Sequence, residues 1–154
     1  MEQTDELRVA VAAMILNDDN QVLLQHRKDV EKWGVLSGHV EMGETVSEAM
    51  IREAKEEANI DIQIDHLIGV YSEPESQTFK YPDGKVEQFV TIYFLATITG
   101  GTLKSNPDES LAFQYFDVNE LPTPLLNMHP KWLEDALALK KKLLYDKDFL
   151  GNER

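Results

Sequence analysis

Apolar positions along the chain change their period several times, and each change predicts an element. Leu7 to Leu16 is apolar and β-rich enough for a buried strand, Asp18-Asp19-Asn20 reads as a turn, and Gln21 to Gln25 returns as a second strand, which predicts a hairpin. The pattern turns helical at Thr45, a good N-cap, and Glu48 three residues on completes a capping box. Ile51, Ala54 and Ala58 then form one stripe, and the small alanines suit close approach to a sheet. Ile60 to Tyr71 alternates as a strand until Pro74, and Tyr81-Pro-Asp-Gly-Lys85 is a turn signature. Phe89 to Ile98 reads as a long central strand ending at Gly100-Gly101, and Leu111 to Phe116 as a further strand leading into Asp117 to Leu121. Pro130 suits the first turn of a helix from His129 to Leu144, where Trp132, Leu133, Ala136, Leu137, Lys140, Leu143 and Leu144 recur at helical spacing. Lys140, Lys141 and Lys142 near its expected end would complement the helix dipole. No internal repeat or low-complexity tract interrupts the pattern. Strands around one central helix, closed by a second helix, fit several α/β or α+β arrangements.

Composition narrows the picture. A chain of 154 residues with 42% hydrophobic content is expected to form one domain spanning 1–154. The formal net charge is −13, from 28 acidic and 15 basic residues. That excess disfavours sequence-independent nucleic-acid binding, which depends on many lysine and arginine contacts to phosphate. It would also repel a polyanionic substrate unless cations occupy the site. The acidic start MEQTDELR is unlike a signal peptide, no apolar run reaches the length of a membrane span, and cysteine is absent; together these favour the cytoplasm.

The candidate chemistry lies in GHVEMGETVSEAMIREAKEEANI, Gly38 to Ile60. At about 100° per residue, Glu53, Glu56 and Glu57 fall within an arc of roughly 100°, with Arg52 beside Glu56. Like charges three or four residues apart cost a few tenths of a kcal/mol per pair even when exposed. The cluster is therefore either a solvated acidic face or a site for a divalent cation, and hard oxygen ligands with open water positions suit Mg²⁺ or Mn²⁺. Arg27, Lys28 and Lys32 lead into this loop and are candidates to hold a phosphate or the far part of a substrate. His26 reads as structural, having no partner at metal-binding spacing. Tyr71, Phe79, Tyr81 and Phe89 are candidates for stacking on a base.

Gly38, Glu44, Arg52, Glu53, Glu56, Glu57 and Ile60 match, at every spacing, the Nudix box G-x5-E-x7-R-E-U-x-E-E-x-G-U, in which U is aliphatic. With each of the six glycine, glutamate and arginine positions filled by chance about once in fifteen, agreement at a given register is on the order of one in ten million. The chain thus resembles the Nudix hydrolases over these 23 residues, and FQYFDVNELP resembles the aromatic strand and acidic segment common later in that family. Three departures are local, the first being Ala54, which stands in for a larger aliphatic and should still pack. Asn59 replaces the last glycine, at a helix end where asparagine is the next-best residue for a left-handed conformation; Ser37 and His39 flank Gly38 where many members have Pro-Gly-Gly.

The resemblance implies an α+β fold of Nudix type, an α/β/α sandwich around a mixed sheet, and hydrolysis of a nucleoside diphosphate linked to another group. It implies Glu53, Glu56 and Glu57 as metal ligands, with the Gly38 carbonyl as a further one, and Glu44 and Arg52 as residues that orient them. The general base is a box glutamate in some members and a later-loop glutamate in others, so Glu53 and Glu109 are both candidates. Arg27, Lys32, Tyr81 and Phe89 are the candidate substrate contacts. Pro74 lies near, but not at, the offset of many ADP-ribose hydrolases, while the patterns of coenzyme A and diadenosine polyphosphate hydrolases are missing. ADP-ribose or a nucleotide sugar is the favoured substrate, with a nucleoside triphosphate as runner-up. A non-cleaving nucleotide sensor is disfavoured by the intact glutamates. The expected partner is a small nucleotide, neither nucleic acid nor membrane, with a homodimer left open.

Overall fold

β1 (Glu6–Ile15) is apolar at consecutive positions because both of its faces are covered. Val11, Ala13 and Ile15 face one core; Ala12 and Met14 face another. The computed structural model describes residues 4–152, with side chains through residue 147. After β1 come β2 (Gln21–Arg27), β3 (Trp33–Gly34), β4 (Leu36–His39), α1 (Val46–Ala58), β5 (Ile60–Tyr71), α2 (Pro74–Gln77), β6 (Thr78–Lys80), β7 (Val86–Gly101), β8 (Ser110–Asp117) and α3 (Trp132–Asn152).

The main sheet has the order β4-β1-β7-β5, with β6 also on β7. It is mixed, since β1 runs parallel to β7 while β4, β5 and β6 pair antiparallel. A second, antiparallel sheet has the order β3-β2-β8. α1 covers one face of the main sheet through Ala49, Met50, Ala54 and Ala58, and α3 covers the other through Trp132 and Ala136. This is the expected α/β/α sandwich around a mixed sheet.

The hairpin expected of Leu7–Gln25 does not form. Its turn exists, with Asn17 N–H donating to the Gln21 carbonyl and a single bridge from Leu16 to Val22. Beyond that bridge the strands part into different sheets. β1 is a central strand already paired by β4 and β7, which leaves no edge for β2. α3 also departs from expectation: it begins at Trp132 and runs on to Asn152, so Lys140, Lys141 and Lys142 lie mid-helix rather than at its C-terminal end. Nothing between Leu144 and Asp148 breaks a helix, and the exposed Leu144 sits on its solvent side.

Candidate active site

Both ends of α1 are fixed by local chemistry. Thr45 Oγ1 accepts from the Glu48 N–H and Glu48 Oε1 accepts from the Thr45 N–H, each at 3.1 Å, closing the capping box. At the other end Asn59 takes the left-handed conformation, φ 56° and ψ 36°, and its N–H returns to the Ala54 and Lys55 carbonyls. The segment after β7 finishes the capping. The N–H groups of Thr102, Lys104 and Asn106 donate to the carbonyls of Asn59, Ala58 and Glu57, supplying acceptors that would otherwise be orphaned.

The helix therefore presents its carboxylates from a fixed frame. Arg52 lies at their hub. Its Nε and Nη2 grip the two Glu44 oxygens at 2.7 and 3.0 Å, Nη2 also donates to the His39 carbonyl at 2.9 Å, and Nη1 reaches Glu53 at 3.0 Å and Glu56 at 3.1 Å. Bonded by Glu44 first and Glu53 second, the guanidinium is held above its ordinary range. The same bond holds the Glu44 carboxyl below the usual carboxylate range, aided by the Glu41 N–H on Oε1. The resemblance assigned Glu44 and Arg52 an orienting role, and this network is capable of it.

Glu53 lies directly over Gly38. A Cβ there would collide with the Glu53 carboxyl group, so glycine is the residue that lets β4 and α1 approach this closely. Glu57 is 9% exposed, and its Oε2 is buried without a hydrogen-bond partner. Burial first, then hydrogen bonding by Glu109 and the charges of Glu53 and Glu109, push its carboxyl up to about 10. Burial also raises Glu53, against the opposing pull of Arg52. As a carboxylate Glu57 lacks a donor; protonated, it donates to one of its acidic neighbours.

Glu109 is thus beside Glu57, although 52 residues separate them in sequence. Backbone bonds bring it there: Asn106 N–H to the Glu57 carbonyl, Glu109 N–H to the Asn106 carbonyl, and Lys28 N–H to the Glu109 carbonyl. Among the described residues no three acidic or histidine side chains already stand as a metal-holding group. Arg52 accounts for this by drawing Glu53 and the exposed Glu56 toward itself. The donor set still fits a divalent cation: hard oxygens only, one of them buried and unpartnered.

These carboxylates open into a cavity of about 700 Å³. Its floor is the α3-facing side of the main sheet, where Ala10 and Ala12 of β1 leave room beside Phe89, Thr91 and Tyr93 of β7. Arg27, Tyr81 and Phe89 line it, as do Glu53, Glu57, Glu109 and Gly38. Lys32 does not. It lies in an adjoining depression with Glu31 and Pro82, which shares Asp29, Val30, Lys80 and Tyr81 with the cavity. Arg27 is clamped by Asp29 through both Nε and Nη2, at 3.1 and 2.6 Å. Phe89 stacks on His39, with ring centres 5.3 Å apart, and touches Phe79 at 5.6 Å. Tyr71 is engaged at the far end, stacked on His129 at 3.8 Å and donating to Asp135 at 2.6 Å. His26 stacks on Trp33 at 4.6 Å, consistent with a structural role.

Sequence reasoning missed Gln77, Thr91, Tyr93, Met128, His129 and Trp132 as cavity residues. The alternation of Phe89, Thr91 and Tyr93 was visible as a signal, but which face of the strand opens into a cavity depends on the register with β1.

A glutamate-bearing loop and helix thus lie at the edge of a mixed sheet, with a cavity alongside. The model described as the NUDIX domain matches residues 6–138, and the chain belongs to the Nudix family: it is a Nudix hydrolase, a pyrophosphohydrolase of a family that is generally dependent on divalent metals. It is 37% identical over 129 residues to a protein of Methanocaldococcus jannaschii named ADP-ribose pyrophosphatase, covering 82% of this chain and 71% of that one. It is 30% identical over 122 residues to the "Putative 8-oxo-dGTP diphosphatase" of Bacillus subtilis, covering 79% and 74%. The crystal structure of an ADP-ribose pyrophosphatase from Streptococcus suis shares the fold, with a TM-score of 0.70 at 21% identity over 86% of this chain and 91% of that one. Among the described residues no helix is long and apolar enough to cross a membrane.

Proposed function

We propose that this chain uses Mg²⁺ or Mn²⁺ to split a nucleoside diphosphate linked to a second group, ADP-ribose or a nucleotide sugar, into a nucleoside monophosphate and a phosphorylated product. One observation carries the choice of substrate. One stretch of the cavity wall, where Tyr71 meets Tyr93 and His129 and where Met128 and Trp132 join the same core cluster, is made of aromatic and apolar side chains. Such a wall suits an uncharged group bearing rings and hydroxyls better than the terminal phosphates of a triphosphate. The cationic residues Arg27, Lys28 and Lys80 line the cavity elsewhere. The name of the Methanocaldococcus jannaschii relative agrees with this reading.

In this mechanism Glu53, Glu56, Glu57 and the Gly38 carbonyl would hold the cation, while Arg52 and Glu44 would set the glutamates' positions. A bound divalent ion supplies neutralisation of the phosphoryl oxygens and a more acidic water. Glu109 accepts the proton as water oxygen bonds to phosphorus, the bridging P–O bond breaks, and its electron pair leaves on the second phosphate. Glu53 is the alternative base, with Arg52 Nη1 donating to its Oε1 at 3.0 Å.

A panel of ADP-ribose, nucleotide sugars, dinucleotides and nucleoside triphosphates, with Mg²⁺ and then Mn²⁺ and products resolved by chromatography, tests the proposal. ADP-ribose or a nucleotide sugar should lead in kcat/KM. The 8-oxo-dGTP relative supports a second reading, and a triphosphate cleaved faster to monophosphate and pyrophosphate would establish that one instead.

A further inference from the structure

We infer that Gln77 reads the base of the nucleotide and selects an adenine-type edge; this rests on the cavity being a nucleotide site. Gln77 ends α2 at the cavity wall and is only 4% exposed. A carboxamide that deep must be hydrogen-bonded, and its bonds fix which way it points. Ser76 Oγ donates its one proton to the Glu73 carbonyl at 3.4 Å, so toward Gln77 it can only accept, which places the Gln77 Nε2 opposite it at 3.2 Å. Thr91 Oγ1 donates to Gln77 Oε1 at 2.7 Å. One Nε2 hydrogen and one Oε1 lone pair remain.

The neighbours of this amide are flat and apolar. Phe89 precedes Thr91 by two residues on one face of β7 and meets Phe79 with ring centres 5.6 Å apart, and both rings line the same cavity as Gln77 and Thr91. A planar ring lying against them, with a donor beside an acceptor on its edge, would complete the amide. Adenine offers its 6-amino donor next to N7, the pairing for which a glutamine carboxamide is suited. Guanine offers two acceptors at the corresponding edge. Turned to its N1–H edge, guanine brings a 2-amino group that needs a further acceptor, which the phenylalanines lack.

The test is binding of AMP and GMP to wild type, Gln77→Glu and Thr91→Val in the presence of Mg²⁺, by calorimetry, with thermal melts alongside. Wild type should prefer AMP by about tenfold or more. Gln77→Glu keeps the shape and offers only acceptors, matching guanine's N1–H and 2-amino group, so the AMP-to-GMP ratio should swing toward GMP by about tenfold or more. Thr91→Val unpins the amide and should weaken AMP preference even if Gln77→Glu fails to fold. A ratio within twofold of wild type in a folded Gln77→Glu or Thr91→Val variant would leave Gln77 a structural amide and overturn the inference. If wild type cleaved no nucleoside diphosphate derivative, the proposed activity would fall, whereas the monophosphate ratios would still decide the role of Gln77.

Discussion

Replacing Glu57 by glutamine in metal-free buffer isolates the acidic cluster from everything else in the fold. Its folded-state carboxyl is pushed up to about 10, mainly by burial, whereas in the unfolded chain it has the ordinary value of 4.5. A raised folded value means stability fully present below the unfolded value and lost as pH climbs toward the folded one. Between those limits the native state holds one proton that the unfolded state lacks. Stability then falls by about 1.4 kcal/mol per pH unit. His39 acts in the opposite direction, because burial lowers its pKa, but it is neutral in both states above about pH 7.5. The clean window is therefore pH 7.5 to 9.5. Over it, wild type should lose about 2.7 kcal/mol more than Glu57→Gln, which carries no titrating proton at this position. For a chain of this length that corresponds to roughly 5–10 °C in Tm. Urea melts in chelator at four pH values would measure it. Mg²⁺ competes with the same proton, so its apparent affinity for wild type should rise by up to about tenfold per pH unit while the variant's stays flat. Parallel wild-type and variant stability curves would refute the assignment of a shared, buried proton to Glu57.

Three further outcomes are expected. Glu109→Gln should lower kcat by about a hundredfold or more with little change in Mg²⁺ affinity if Glu109 is the base; loss of Mg²⁺ binding by calorimetry would make it a ligand instead. Arg52→Lys gives up the two-pronged grip on Glu44 together with the His39 carbonyl bond and should cost about 2 kcal/mol in a urea melt, an expectation that an unchanged midpoint would contradict. Asn59→Gly should be near neutral, since easier left-handed geometry offsets the lost Nδ2 bond to the Thr102 carbonyl, whereas Asn59→Val should destabilise by about 1 kcal/mol or more, and equal midpoints would remove the conformational explanation.

What the sequence made legible was what neighbouring residues decide among themselves. The capping box of Thr45 and Glu48, the left-handed Asn59 and the arc of Glu53, Glu56 and Glu57 are set within a few turns of one helix, so α1 matched its expected bounds. The hairpin failed for a non-local reason. Asp18 to Asn20 does turn the chain, but the partners of β1 are β4 and β7, and β7 begins more than sixty residues downstream at Val86. Glu109 was named through the resemblance alone; the amide donors that carry its loop onto the end of α1 have no side-chain signature. Lys32 shows the limit of proximity in sequence. It follows Arg27 by five residues, yet Arg27 lines the cavity while Lys32, next to the left-handed Glu31, lines only the adjoining depression.

The two faces of α1 explain why an acidic cluster can be kept in place before any cation arrives. Each like-charge pair on the helix costs a few tenths of a kcal/mol when exposed, more where Glu57 is buried. Against this, Met50 alone contributes about 1.5–3 kcal/mol by complete burial, and Ala49, Ala54 and Ala58 are as fully enclosed. Arg52 and a proton on Glu57 remove much of the remaining repulsion. Burial of this apolar face thus outweighs the repulsion, and the helix holds its carboxylates in one register. Small residues have opposite uses on the two sides of the sheet. The alanines of α1 bring the glutamates close to Gly38, whereas Ala10 and Ala12 of β1 hollow out the floor beside them, so that acidic cluster and cavity share one strand pair, β1 and β4.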